Sequence, residues 1–450
     1  MKTLVVTFLV IMAVYLCLPD IGQVDDIDRF NMDLAEQIPD QNNLFNAIVG
    51  FTAEPGKFPL AEGTRLVHTA NHDLDTYLKS GKQVRKNSKP EFDPHWQNPA
   101  LTASDDINLL CDPRMKACLD IWLAQQQTIE NSLLENAVLL SRYQQMQQYT
   151  AYHNGLTPDM RIPIPELSSF IAINRLYGIM YAMLYLSGSH EAALTALAND
   201  IEFVRRLLQQ ANTMLMKMIA LSMLKHDLYI YETLMDVPAT DNYFSENIPL
   251  LSAAERSFME PVKYEFNLNK KLVTEIKEYP GIYLHDFYYP EWLPFPMLKE
   301  NHSINMLFKA FNSILEDSKL PADEFYRHAG DNPGRKRQLK PDWLSYVYNP
   351  IGSILFSISL PDFDKYIIRM HDMNGLIMLI NLKQKIKREN VSEDAITAYL
   401  EENRKNYSNP YTGDSIHWDN LEQTLWTESP FSDYATNNIN LSFPTLSGKN

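Results

Sequence analysis

Apolar residues recur at helical spacing along most of this chain. Val67, Ala70, Leu74 and Leu78 stand three or four apart and predict a helix over 63–79. From Lys116 onward, Trp122, Ile129, Leu133, Leu140 and Tyr143 share one face, while Gln125, Gln127, Glu130, Glu135 and Gln147 fill the others. That pattern predicts one unbroken helix to about His153, stopped by Gly155 and Pro158. Pro165 fits a first helical position, with Glu166 behind it, for a helix to Ser187. Gly188 breaks the chain, Ser189 offers an N-cap, and a further helix follows to about Gln209. Asn212 to Met235 forms another, rich in methionine at 214, 216, 218 and 223, a composition suited to a core. Long helices joined by short loops pack as antiparallel neighbours. The stretch from Leu176 to Leu208 has the cadence of a tetratricopeptide-like unit, but no copy recurs at a fixed period, and a repeat fold needs three or more.

Residues 237–345 change character, with prolines and aromatics dominating, although a helix is predicted over 296–316. After Pro350 the helical pattern returns through Tyr366, Ile367, Met370, Leu376, Leu379 and Leu382, with Lys383, Lys385, Lys387 and Arg388 toward its C-terminal end. Ser392 is placed to cap a short helix over 393–403. Asn409 to Gly413 reads as a turn, and Ile416, Trp418, Leu425 and Trp426 as a small hairpin. The tail from Ser432 is polar and expected to fray. The fold class is therefore mainly α: a multi-helix bundle or short α-solenoid-like array, with a Pro/aromatic-rich irregular region and a small C-terminal β-hairpin. Four regions follow: an N-terminal anchor or signal segment (1–22), a helical domain (23–240), a connecting region (241–345) and a C-terminal helical region with hairpin and polar tail (346–450).

Thr3 to Leu18 is an uncharged apolar run, preceded by Lys2 and followed by Pro19, Asp20 and the acidic Asp25, Asp26 and Asp28. As a helix it spans about 24 Å, against about 30 Å for a hydrocarbon core. Small residues at a signal-peptidase spacing are missing, and Val14, Tyr15 and Leu16 ahead of Cys17 are too bulky for a lipoprotein signal. The segment reads as a retained anchor. Its positive end marks the inner side, so the expectation is a single-pass inner-membrane protein with its bulk on the periplasmic, extracytoplasmic side. The acidic stretch from Val24 to Asn43 becomes a spacer or docking strap, and Leu176 to Leu186 a core helix rather than a second span.

Cys111 and Cys118 are the only other cysteines besides Cys17. In an exported chain two cysteines seven apart suggest a disulfide. A continuous helix would hold their Cα atoms about 10 Å apart, beyond the bridging limit of about 7 Å. Asp112-Pro113-Arg114 must therefore turn, and the next helix must start at Met115 or later.

Composition narrows the function classes. Fifteen glycines in 450 residues are too few for the many corners of an all-β fold. A net charge of −16 argues against nucleic acid and against broad adhesion to anionic lipid. One local exception, Arg335, Lys336, Arg337 and Lys340, suits an acidic partner surface or lipid headgroups.

Candidate chemistry is sparse. His68, His72 and Asp75 fall on one helical face, a spacing able to hold a divalent metal, though the Glu of a His-Glu-x-x-His motif is missing. His285-Asp286 and His371-Asp372 are adjacent in sequence, so their side chains diverge and neither is a ready acid–base dyad; both read as surface or structural pairs. No cofactor-binding or nucleophile motif is present. The aromatic run Tyr279 to Pro296 is the candidate binding surface, through Tyr283, His285, Phe287, Tyr288, Tyr289 and Trp292. The expectation is a non-enzymatic scaffold or interaction protein of the cell envelope, partnered by other envelope proteins. The alternative is an exported hydrolase with an aromatic-lined cleft.

Overall fold

The computed structural model describes residues 2–32, 40–80, 90–96, 98–113, 118–237, 247–278, 294–330, 340–359, 363–427 and 437–440. The fold is mainly α. Helix α1 (Lys2–Leu16) is followed by α2 (Leu44–Val49) and α3 (Pro59–Ser80), which touch backbone to backbone. Glycines make that approach possible: a Cβ on Gly50 would lie 1.9 Å from the Pro59 carbonyl oxygen, and one on Gly63 only 1.6 Å from that of Asn46.

Where one long helix is expected, three short ones stand: α4 (Cys118–Ala124), α5 (Gln126–Glu135) and α6 (Ala137–Met146). The break at Asn136 goes with the bonds its side chain makes. Its buried amide nitrogen donates to the Ser132 carbonyl at 2.7 Å and its side-chain oxygen accepts from the Ser104 backbone at 3.1 Å, so the side chain competes with the helical ladder. Three long helices follow, α7 (Ser168–Leu186), α8 (His190–Gln210) and α9 (Met214–Leu234), and they pack pairwise as neighbours. Helix α7 begins three residues after Pro165, because the Glu166 carboxylate accepts from the backbone of Ser168 and Ser169 at 2.8 and 3.2 Å. Ser189 precedes α8 without a side-chain cap; Thr213 does cap α9, accepting from Met216 at 3.3 Å. Helix α7 is long and apolar enough to cross a membrane, but 61% of its most apolar stretch is buried. It is a core helix, as its sequence implied.

The second half carries α10 (Ala253–Arg256), α11 (Met259–Glu278), α12 (Pro294–Met297), α13 (Glu300–Ser318) and α14 (Ala322–Gly330). Helices α15 (Trp343–Tyr348), α16 (Pro350–Ser359), α17 (Asp364–Arg388) and α18 (Ile396–Asn403) follow among the described residues. Ser392 makes no side-chain cap; a 3-10 turn leads into α18 instead. The expected hairpin is present as β1 (His417–Asp419) and β2 (Thr424–Thr427), with Trp418 opposite Leu425. The tail does not simply fray: β3 (Asn437–Asn440) pairs antiparallel with β2, Leu425 facing Ile439, and lies against α17. A four-residue polar strand has no apolar alternation of its own to announce it.

One apolar core runs from Ile27 to Leu425. The acidic segment after α1 joins it as a strap: Phe30 is fully buried, its ring centroid 5.4 Å from that of Phe266 and 5.2 Å from that of Phe308. Asp20 caps α13, accepting from the backbones of Asn301 and His302 at 2.7 and 3.2 Å. The buried Lys299 ammonium reaches back to the carbonyls of Leu16 and Leu18 at 2.7 and 2.6 Å, a cation at the C-terminal end of α1. Helix α1 is thus bolted to the body through its last turn.

Candidate functional site

The disulfide forms as the spacing predicts. Cys111 and Cys118 are bonded with Cα atoms 5.5 Å apart, and Cys118 opens α4 with its side chain fully buried. Replacing Cys118 with Ser should lower stability by about 2.5 kcal/mol through the lost loop constraint. The check is a shifted denaturation midpoint, matched by reduction of the parent protein and not additive with it.

The other sequence candidates scatter. His68 and His72 lie on the exposed side of α3, opposite buried Val67, Ala70 and Leu74. His68 Nε2 sits 3.3 Å from an Asp40 oxygen, whereas Asp75 pairs with Lys79 one turn on. Among the described residues no three His, Cys, Asp or Glu side chains are grouped to hold a metal. The candidate aromatic surface, Tyr283, His285, Phe287, Tyr288, Tyr289 and Trp292, lies outside the described residues.

His371 is buried and Asp372 half-buried, and both meet Tyr411. The His371 ring lies 6.1 Å from the Tyr411 ring, and the Tyr411 hydroxyl donates to Asp372 Oδ1 at 2.7 Å. Burial pushes Asp372 up to about 6 and His371 down to about 4. Asp372 also borders a cleft of about 330 Å³ between α9 and α17, flanked by Lys225, Arg369, Ser222 and Met218. Two cations around a tyrosine-held carboxylate suit a polar, amide-bearing or anionic group of a ligand.

A second groove, of about 220 Å³, opens where the loop Met160–Pro165 passes over α9 and α11. Phe45, Tyr152, Ile162, Met216 and Tyr264 give it apolar walls. The loop is extended by its two Ile-Pro steps, since a residue before proline avoids helical backbone. It is tied down beside them: Arg161 bridges Asp159 and Glu275, both at 2.6 Å. The rim is unusually greasy, with Met160 63%, Ile164 68% and Leu215 46% exposed. In the wall stands Glu265, whose burial raises it to about 7, so near neutrality it serves as a hydrogen-bond donor as readily as an anion. Nothing in the local pattern marked this groove. Its walls come from four separate segments, and each apolar residue taken alone reads as core.

Apart from the clefts, the core holds a buried polar cluster. Tyr143 donates to Asp200 at 3.0 Å, Gln147 donates to the same oxygen at 2.9 Å, and Asn174 donates to Tyr143 at 3.1 Å and to Asp227 at 3.2 Å. Asp200 and Asp227 are both fully buried, and desolvation raises both. The cluster ties α6, α7, α8 and α9 together and borders neither cleft.

Comparison with protein-family models, curated proteins and solved structures gives no match to this chain.

Proposed function

We propose that this protein is an exported, membrane-anchored helical interaction protein whose groove under the Met160–Pro165 loop receives an apolar, extended segment of a partner. The single observation that carries the interaction reading is the groove's rim. Three large apolar side chains stand in water around an apolar trough: Met160 and Ile164 on a loop held by the Arg161 ion pairs, and Leu215 on the first turn of α9. Exposed apolar groups so grouped mark contact surfaces rather than chance. The rigid loop keeps the ordering cost of binding low, and Glu265 can meet a backbone amide or carbonyl of the guest in either protonation state. The compartment is supported by the Cys111–Cys118 bond, since such bonds persist outside reducing compartments. The anchor is the apolar segment 3–18, with the inner membrane and periplasm as the proposed setting.

A photo-crosslinking residue at Ile164, in the full chain in its own cells, should give a discrete adduct with another envelope protein. The adduct should fall at least several-fold when Leu215→Asp is added. Thiol trapping before lysis should find Cys111 and Cys118 oxidised. Absence of any adduct from folded, oxidised protein would refute the groove as a contact site; two reduced thiols in the native cell would refute export.

A further inference from the structure

We propose that the outward face of the α15–α16 hairpin is a second membrane contact, a platform that lies in the lipid interface beside α1. This rests on the anchored reading of residues 3–18 and extends it from a tether to a fixed pose.

Trp343 to Pro361 contains no charged residue. Asn349 and Pro350 divide the described part into two short helices, so the run folds back instead of spanning. Helix α16 has 10 residues, about 15 Å of length, half of what a hydrocarbon core requires. Its inner side is fitted to α13. The buried Asn349 accepts from the Lys299 backbone and donates to Ser303 Oγ, both at 2.8 Å, and a Cβ on Gly352 would lie 2.0 Å from that hydroxyl. Its outer side is bare: Ile354 and Ile358, one turn apart, are 55% and 75% exposed. Tyr346 of α15 touches this row, its hydroxyl 2.9 Å from that of Ser357, and Trp343 on the same helix is 72% exposed. In water such a face is unfavourable. Amphipathic aromatics beside aliphatic side chains suit the headgroup boundary.

The occupant is lipid because the face is continuous with α1. Tyr15 packs edge-on against Tyr348 at 5.7 Å, the Tyr348 hydroxyl donates to the Pro19 carbonyl at 2.6 Å, and Lys299 holds the last turn of α1. Val6, Val10 and Val14 of α1, four apart, are exposed on one side of the helix, and Leu18 just beyond it is exposed too. A helix mounted this firmly cannot enter a bilayer without bringing its mount to the surface, and α15 is part of that mount. Charge agrees: Lys340 is exposed just before the hairpin, and Arg335, Lys336 and Arg337 precede it in sequence, the basic exception in a chain of net −16.

The test uses the full chain with Cys17→Ser, reconstituted into vesicles of phosphatidylcholine and phosphatidylglycerol. An environment-sensitive nitrobenzoxadiazole label is placed at Ile358→Cys or, as a control, at Leu421→Cys, a position 95% exposed in the β-hairpin turn. At 358 the label should brighten several-fold with vesicles, be quenched by spin-labelled acyl chains and resist aqueous iodide; at 421 it should do the reverse. Water-like behaviour at 358 in protein that resists carbonate extraction overturns the platform and leaves the anchor standing. Shielding from iodide without acyl-chain quenching means protein covers the face, which also overturns it. Release by carbonate, with 358 still quenched by lipid, supports the platform and refutes the anchor. Both substituted side chains are solvent-exposed, so folding is not at risk.

Discussion

Replacing Lys383 with Met should destabilise the protein by about 3–5 kcal/mol, the cost of leaving a buried carboxylate without its cation. The Lys383 side chain is wholly buried; its ammonium pairs with Glu232, with Asp236 at 2.8 Å, and donates to the Glu232 carbonyl at 3.2 Å. Lys387 closes the cluster, meeting Asp236 at 2.6 Å and the Met235 carbonyl at 2.9 Å. These contacts fasten α17 to the C-terminal end of α9, where cations also answer the helix dipole. Met has nearly the volume of the lysine stem, so the loss is electrostatic and not a cavity. The double variant Lys383→Met, Glu232→Leu should therefore recover most of the stability, because apolar pairs substitute well for buried ion pairs. Urea denaturation monitored by far-ultraviolet circular dichroism decides: equal losses in the single and double variants would show that Lys383 acts by packing alone.

Asp227→Asn should make the protein more stable at pH 8 and leave it nearly unchanged at pH 4. In the folded state burial and the neighbouring Asp200 charge raise Asp227 well above its ordinary value. A raised carboxyl favours the protonated form when folded. Its contribution is thus fully present below the unfolded value near 4 and is lost as pH climbs through the folded value. The native state then carries an unfavourable charge, or opens. The geometry fits a proton here: among the described residues the buried Asn174 Oδ1 meets no donor, while the same side chain's nitrogen donates to Asp227. An amide at 227 supplies that donor permanently and still accepts from Asn174. The gain should be clear at pH 8 and shrink steadily as the pH falls toward the ordinary carboxyl range. Thermal unfolding across pH 4 to 8 should show a flatter profile in the variant; parallel profiles would place the raised proton elsewhere.

Most of the helical frame was legible because amphipathic periodicity is a local property. Val67, Ala70 and Leu74 face the core because they recur every turn, whatever lies across from them. The disulfide was legible too, since two cysteines in a turn-forming context leave few geometries. The breaks in the helix expected over 116–153 were not. The bond from Asn136 back to Ser132 is local, but its side-chain oxygen is engaged by the backbone of Ser104, 32 residues earlier, which no helical window contains. The third strand was hidden for a related reason, its pairing being supplied by β2.

What the sequence determined alone is the class of fold, the disulfide and the apolar character of the N-terminal helix, all properties of short windows. Tertiary structure alone decided that α1 is bolted to α13 and α15, that four segments form one groove, and that the buried Lys383 meets its carboxylates. Periodicity reports which side of an element avoids water. It carries no information on which distant element meets that side, and burial, pairing and cleft geometry all depend on that meeting.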